Sequence, residues 1–126
     1  MRQDVPDRRI SIIEDDESLR SALVGLVRSL GYQARGFSSA DQFVELSGGE
    51  SGACIITDIQ MPGLTGIELT QRLRAAGDAV PVLMITAGTD PGLEEKALAS
   101  GAMCLLRKPF DTEVLVACLE RALDRR

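Results

Sequence analysis

Four short stretches of this sequence hold side chains that could share one piece of chemistry. Glu14-Asp15-Asp16 is a run of three acids directly after the β-branched stretch Arg9–Ile13 (RISII). Asp58 follows the apolar run 53–57 (ACIIT), Thr86 closes 81–86 (PVLMIT), and Lys108-Pro109 comes just after 103–106. Taken alone, each has an ordinary explanation. An acid after a strand caps the next helix, as expected of Asp16, a Thr closes a turn, and a Lys is a solvated edge charge. Taken together, they describe a site. Carboxylates brought close repel, so one is protonated or a cation neutralises them. A few hard oxygen donors suit Mg²⁺, which keeps waters and takes one or two carboxylates plus a phosphate. Lys108 supplies a compact charge for a phosphate oxygen and Thr86 a hydrogen bond. Asp58 then stands as a carboxylate nucleophile able to form an aspartyl-phosphate.

That gathering requires elements which end at one rim. Residues 17–30 carry Leu19, Ala22, Leu23, Leu26, Val27 and Leu30, the stripe of a core-facing helix, with Gly31 at its left-handed end. A brief strand follows at Gln33–Phe37. Ser39-Ala-Asp-Gln42 has capping-box form and opens a helix with Phe43, Val44 and Leu46. After the turn cluster 48–52, the continuous apolar run 53–57 suits a strand covered on both faces. Thr65-Gly-Ile-Glu68 is a second capping box, and its helix ends near Ala76-Gly77. Asp90-Pro91 offers an N-cap with Pro at N1, for a helix closing at Gly101. Asp111 caps a last helix that turns Val114, Leu115, Cys118, Leu119 and Ala122 inward. Strand and helix thus alternate five times. This predicts an α/β parallel sheet with right-handed crossovers and helices on both faces. Ligands bind such sheets beyond the carboxyl ends of the strands, where the acids, Thr86 and Lys108 fall.

Composition narrows the chemistry. The 126 residues suit one domain, with 44% hydrophobic and 26% charged residues giving enough apolar material for one core. Residues 1–8 read as a frayed tail and 9–126 as the domain. Histidine is absent, so a Ser-His-Asp triad, a Cys-His pair and a His general base are excluded from these residues. A net charge of −5 makes direct nucleic-acid binding by this chain unexpected. Cys54, Cys104 and Cys118 form no CxxC pattern and read as buried thiols rather than a zinc or redox site. No apolar run approaches the roughly 18 residues of a membrane span, and Met1 to Arg9 lacks a signal-peptide core, so a cytoplasmic protein without membrane contact is expected.

From about Arg9 to Leu123 the sequence resembles the receiver domain of bacterial two-component response regulators. Ile13-Glu14-Asp15-Asp16 with Arg20 is similar to the family's acidic-pair motif. Thr57-Asp58-Ile59-Gln60-Met61-Pro62-Gly63-Leu64-Thr65-Gly66 resembles its phosphoacceptor loop, and Ile85-Thr86-Ala87 and Lys108-Pro109-Phe110 complete the set. The wording is nearest to receivers of nitrogen-fixation and nitrate-type regulators. The resemblance implies a flavodoxin-like, doubly wound sheet of five strands in the order 2-1-3-4-5 with five helices. It implies that Asp58 takes a phosphoryl group from a phosphohistidine of a sensor histidine kinase or phosphotransfer protein. It implies a Mg²⁺ held directly by Asp15, Asp58 and the Gln60 backbone carbonyl, with Glu14 acting through water. It further implies phosphoryl binding by the Thr86 hydroxyl, the Ala87 N–H and Lys108, and a cis bond before Pro109. The resulting protein is a conformational switch rather than a turnover enzyme, in which the loop after the fourth strand is drawn inward. A homodimer on the fourth-helix to fifth-helix face is common among such domains.

Three positions depart from the family's usual pattern. Glu14 stands where many members have Asp. Leu105 occupies a switch position that is often Tyr or Phe, so the usual inward swing of an aromatic ring is missing. Gly88 offers no side chain to screen the phosphoryl group from water. Two other readings compete. A Mg²⁺-dependent phosphohydrolase with Asp58 as nucleophile would need an acid two residues on, where Gln60 stands. A degenerate receiver serving only as a docking module is opposed by intact Asp15, Asp58, Thr86 and Lys108.

Overall fold

Each described strand runs four or five residues, and its two faces alternate between two apolar layers. A computed structural model describes residues 8–48, 50–88 and 90–124. The elements are β1 Arg9–Ile13, α1 Glu17–Ser29, β2 Gln33–Phe37, α2 Ala40–Ser47, β3 Cys54–Asp58, α3 Gly66–Ala75, β4 Val82–Thr86, α4 Pro91–Ala99, β5 Cys104–Arg107 and α5 Thr112–Leu123. All strand pairs are parallel, in the order β2-β1-β3-β4-β5. Residues 1–7 of the expected tail lie outside the described residues. Arg8, its last member, is engaged: its carbonyl accepts from Gln33 N–H at 2.9 Å and its guanidinium lies 4.7 Å from the Tyr32 ring centre.

The side-chain period of two sorts each strand. Ile10 and Ile12 of β1, Cys54 and Ile56 of β3, and Leu83 and Ile85 of β4 face Leu23, Val27, Leu115 and Leu119 of α1 and α5. Ile13, Ile55, Val82 and Met84 face the opposite layer, with Phe43 of α2, Leu69 of α3 and Ala97 of α4. Phe37 and Phe43 meet edge to face at 5.3 Å in that layer. Because β3 and β4 are covered on both sides, all ten of their residues are buried, which is why they read as unbroken apolar runs.

The expected caps hold in part. Asp16 accepts from the Ser18 and Leu19 N–H groups, Asp90 from Gly92 N–H ahead of Pro91, and Thr65 and Glu68 form the reciprocal capping box. Gly31 takes φ +96 just past α1. The Ser39 box forms only one arm: Ser39 accepts from Gln42 N–H, while Gln42 Oε1 accepts from Ser38 rather than Ser39. Asp111 occupies the N-cap of α5 with no side-chain cap bond, only its carbonyl engaged. Two stripe residues also face outward. Ala22 is exposed, with Val24 packing in the layer instead, and Val114 is 46% exposed. Among the described residues no helix is long and apolar enough to cross a membrane.

Candidate functional site

The strand order reverses between β1 and β3, and the acids straddle that point. The parallel register pairs Ile13 with Thr57, so one further step brings Glu14 beside Asp58, the last residue of β3. Glu14, Asp15 and Asp58 each offer a carboxylate oxygen, and these oxygens lie within 4.8 Å of one another. Asp15 is exposed, whereas Glu14 and Asp58 are only 1% and 6% exposed. Lys108, arriving from the end of β5, places its ammonium 3.3 Å from Glu14 Oε1 and 3.3 Å from Asp58 Oδ2. The Lys108–Pro109 peptide is cis.

Local backbone holds these groups in place. Asp16 N–H donates to Glu14 Oε2 at 3.1 Å, and Arg20 donates to the Glu14 carbonyl at 2.8 Å. The Arg20 stem crosses β2 at Gly36, where a Cβ would stand 3.0 Å from Arg20 Cγ. Gly66 opens α3 against the same strand end, its absent Cβ position 2.6 Å from the Asp58 carbonyl oxygen. Thr86 is fully buried. Its hydroxyl donates to Gln60 Oε1 at 3.1 Å and accepts from Gly88 N–H at 2.9 Å. Ala87 and Gln60 are exposed at the rim, and Leu105 packs against the α2–α4 layer behind it.

Burial dominates the electrostatics of Glu14. It pushes the carboxyl up to about 7, helped by the Asp58 charge and by a hydrogen bond that the protonated carboxyl donates to Asp15, and opposed by the Asp16 N–H and Lys108. Burial pulls the Lys108 ammonium down, but the carboxylates of Asp58 and Glu14 outweigh it and hold Lys108 above its ordinary value. One ammonium therefore serves two buried carboxylates, with a third carboxylate alongside. A hard divalent cation fits this donor set, because it would bind the carboxylates and leave Lys108 to meet an arriving anion.

The family description "Response regulator receiver domain" matches residues 10–120. The chain belongs to the response regulator receiver family. This receiver is 37% identical over 114 residues to the transcriptional regulatory protein FixJ of Bradyrhizobium diazoefficiens, covering 90% of this chain and 56% of that one. The solved structure of FixJ-N superposes with a TM-score of 0.86 at 26% identity, covering 97% of this chain and 98% of the other. A response regulator receiver protein from Burkholderia phymatum gives 0.81 at 38% identity, covering 97% and 98%. The chain spans a little over half the length of the curated relatives it matches.

Two residues of this receiver's rim were not among those singled out from the sequence. Asp41, in the first turn of α2, accepts from Leu64 N–H at 3.2 Å and so ties the loop after Asp58. An acid in a first helical turn is ordinary dipole complementation, so nothing local marks it. Arg107 donates to the Gly88 carbonyl at 2.9 Å and to Glu94 Oε1 at 3.4 Å. Period-two alternation from Leu105 places Arg107 on the α4 side of β5, the one available signal.

Proposed function

We propose that this receiver accepts a phosphoryl group on Asp58 from a phosphohistidine of a sensor histidine kinase or phosphotransfer protein. It acts in the cytoplasm, depends on Mg²⁺, and switches conformation to control a downstream output. The observation that carries this reading is the convergence of Glu14, Asp15, Asp58 and Lys108 at the carboxyl rim of the sheet. The donor histidine lies outside these 126 residues, which contain none.

In the transfer, an Asp58 carboxylate oxygen attacks phosphorus, the new P–O bond forms, and the P–N bond to the donor imidazole breaks. Such a step asks chiefly for positioning and charge neutralisation, not for a general base. Asp15 and Asp58, with the Gln60 carbonyl, would hold Mg²⁺ directly and Glu14 through water. The ion would supply positive charge opposite the phosphoryl oxygens. Lys108 turns from the carboxylates to a phosphoryl oxygen, and the Thr86 hydroxyl and Ala87 N–H bind the others. The group adds about −1.5 to −2 charges, so these donors must close around it. Gln60 stands where a hydrolase would carry its acid, so the phosphoryl group is retained as a signal rather than turned over.

The test is incubation with Mg²⁺ and acetyl phosphate followed by intact-mass measurement of wild type, Asp58→Ala and Asp58→Asn. One phosphoryl adduct is expected on wild type and none on either variant. Adducts on all three, or on none, would overturn the assignment of Asp58. Multiple turnover of acetyl phosphate would instead establish a phosphohydrolase.

A further inference from the structure

Leu105 leaves this receiver without an aromatic side chain at the position from which the site would reach α4, yet a polar route to α4 is present. We propose that Arg107 is the positioning residue that couples the phosphoacceptor site to α4, by latching Gly88 and Glu94 to β5 in the unphosphorylated state. The inference rests on the phosphoacceptor reading above and names a residue that reading does not use.

Arg107 lies directly across the β4–β5 ladder from Thr86. Its guanidinium donates through one nitrogen to the Gly88 carbonyl and through the other to Glu94 in α4, the pair being 40% and 55% exposed. An exposed ion pair of that kind contributes little by itself. The fork matters more, because a planar guanidinium fixes two acceptors at once, which an ammonium does not. Gly88 is the hinge between site and latch. Its N–H donates to the Thr86 hydroxyl and its carbonyl accepts from Arg107. In this state the Thr86 hydroxyl is itself committed to Gln60. A phosphoryl group on Asp58 competes with Gln60 for that hydroxyl. When Thr86 turns toward it, the Gly88 N–H must follow or lose its acceptor, and the displacement of residue 88 draws its carbonyl away from Arg107. The α4 segment is released from β5 by the same movement. Coupling is reciprocal, so weakening the latch favours the phosphorylated form by the factor it loosens α4.

The experiment compares wild type with Arg107→Ala, Arg107→Lys, Glu94→Ala and the double alanine variant. Amide hydrogen exchange of Gly88 and of residues 92–99 is followed without phosphodonor. Phosphorylation rate is then followed with Mg²⁺ and acetyl phosphate. Arg107→Ala is expected to speed exchange in this segment roughly three- to tenfold, as suits a lost charged hydrogen bond and surface ion pair. Acetyl phosphate reacts with the released conformation, so phosphorylation should speed by a similar factor, in proportion to the population of that conformation. Glu94→Ala should do less, the double variant no more than Arg107→Ala, and Arg107→Lys should restore part of the effect. Loss of a merely structural contact would lower the melting temperature without faster phosphorylation, and that result overturns the latch. A phosphorylatable wild type matched by Arg107→Ala in both measurements also overturns it. A wild type that takes no phosphoryl group overturns the phosphoacceptor reading and the coupling together, and the exchange data then judge the resting contact separately.

Discussion

The ammonium of Lys108 stands 3.3 Å from the buried carboxylate of Glu14, across 94 positions of sequence. The same ammonium is equally close to Asp58. Removing it leaves two buried carboxylates facing each other without that counter-charge. Lys108→Met should therefore cost roughly 1–3 kcal/mol in EDTA at pH 7, less than a fully buried pair because Lys108 is itself partly solvated. Urea unfolding measures this directly. Saturating Mg²⁺ should recover part of the loss by replacing the missing charge. A variant as stable as wild type in EDTA would mean that the ammonium is not neutralising the pocket.

The Glu14 carboxyl gives the metal-free fold a pH dependence of unusual sign. Its pKa is about 7 in the folded chain against an ordinary 4.5. The folded state therefore binds the Glu14 proton more tightly than the unfolded state. The associated stability is fully present below about pH 4.5 and is lost as pH rises through about 7. At about 1.4 kcal/mol per unit the whole contribution is on the order of 3 kcal/mol. Lys108, held above its ordinary value, stays charged across this window. Unfolding free energies in EDTA between pH 5 and 8 should fall with pH, and Glu14→Gln should flatten the curve. Mg²⁺ should reverse the trend, since it binds ionised carboxylates. A flat wild-type profile in EDTA would contradict the burial argument.

The strands and their rim were legible because local chemistry dictates them. β3 and β4 are apolar along most of their length since both faces are covered, and that places Asp58 and Thr86 at their carboxyl ends whatever the helices do. Asp16, Thr65 and Asp90 act as caps through partners two or three residues away, within reach of sequence reasoning. The misreadings share another cause. Ala22 and Val114 fit a helical stripe, but how far a helix rotates into its layer is decided by neighbours such as Val24 and Leu115. The Asp41–Leu64, Gln60–Thr86 and Arg107–Gly88 bonds join residues 19 to 26 positions apart. Each depends on which loops the finished sheet brings together, so no spacing rule announces them.

The three cysteines should be chemically quiet in the native protein. Cys54, Cys104 and Cys118 are all free and buried. Burial pushes the Cys54 thiol up to about 12 and the Cys104 thiol up to about 11, the latter despite an Arg121 guanidinium 3.4 Å from its sulfur. Only a thiolate reacts well with an alkylating agent. Iodoacetamide at pH 8 should label none of the three within the time that labels all of them in urea. Rapid labelling of the folded chain at Cys104 would show that the guanidinium governs that thiol after all.

Gly66 should be intolerant of any side chain, for a reason tied to Asp58. A Cβ there would stand 2.6 Å from the Asp58 carbonyl oxygen and 3.2 Å from both Ile59 Cα and Thr57 Cγ2. The nearest of these atoms is backbone, so relief requires α3 to withdraw from the end of β3. Withdrawal strains the Gly66 N–H bond to Ile59, and it tilts the strand end that aims the Asp58 carboxylate. Gly66→Ala should lose about 1–3 kcal/mol, the usual range for overpacking, and should slow phosphorylation by acetyl phosphate. Gly25→Ala is the natural control. It adds a Cβ in α1 with nothing within 4 Å, and alanine in a helix interior should stabilise the chain by roughly 0.5–1 kcal/mol. Intact-mass kinetics should then separate the two variants in rate as well as stability. Equal phosphorylation rates in Gly66→Ala and wild type would mean that the close approach of α3 does not aim Asp58.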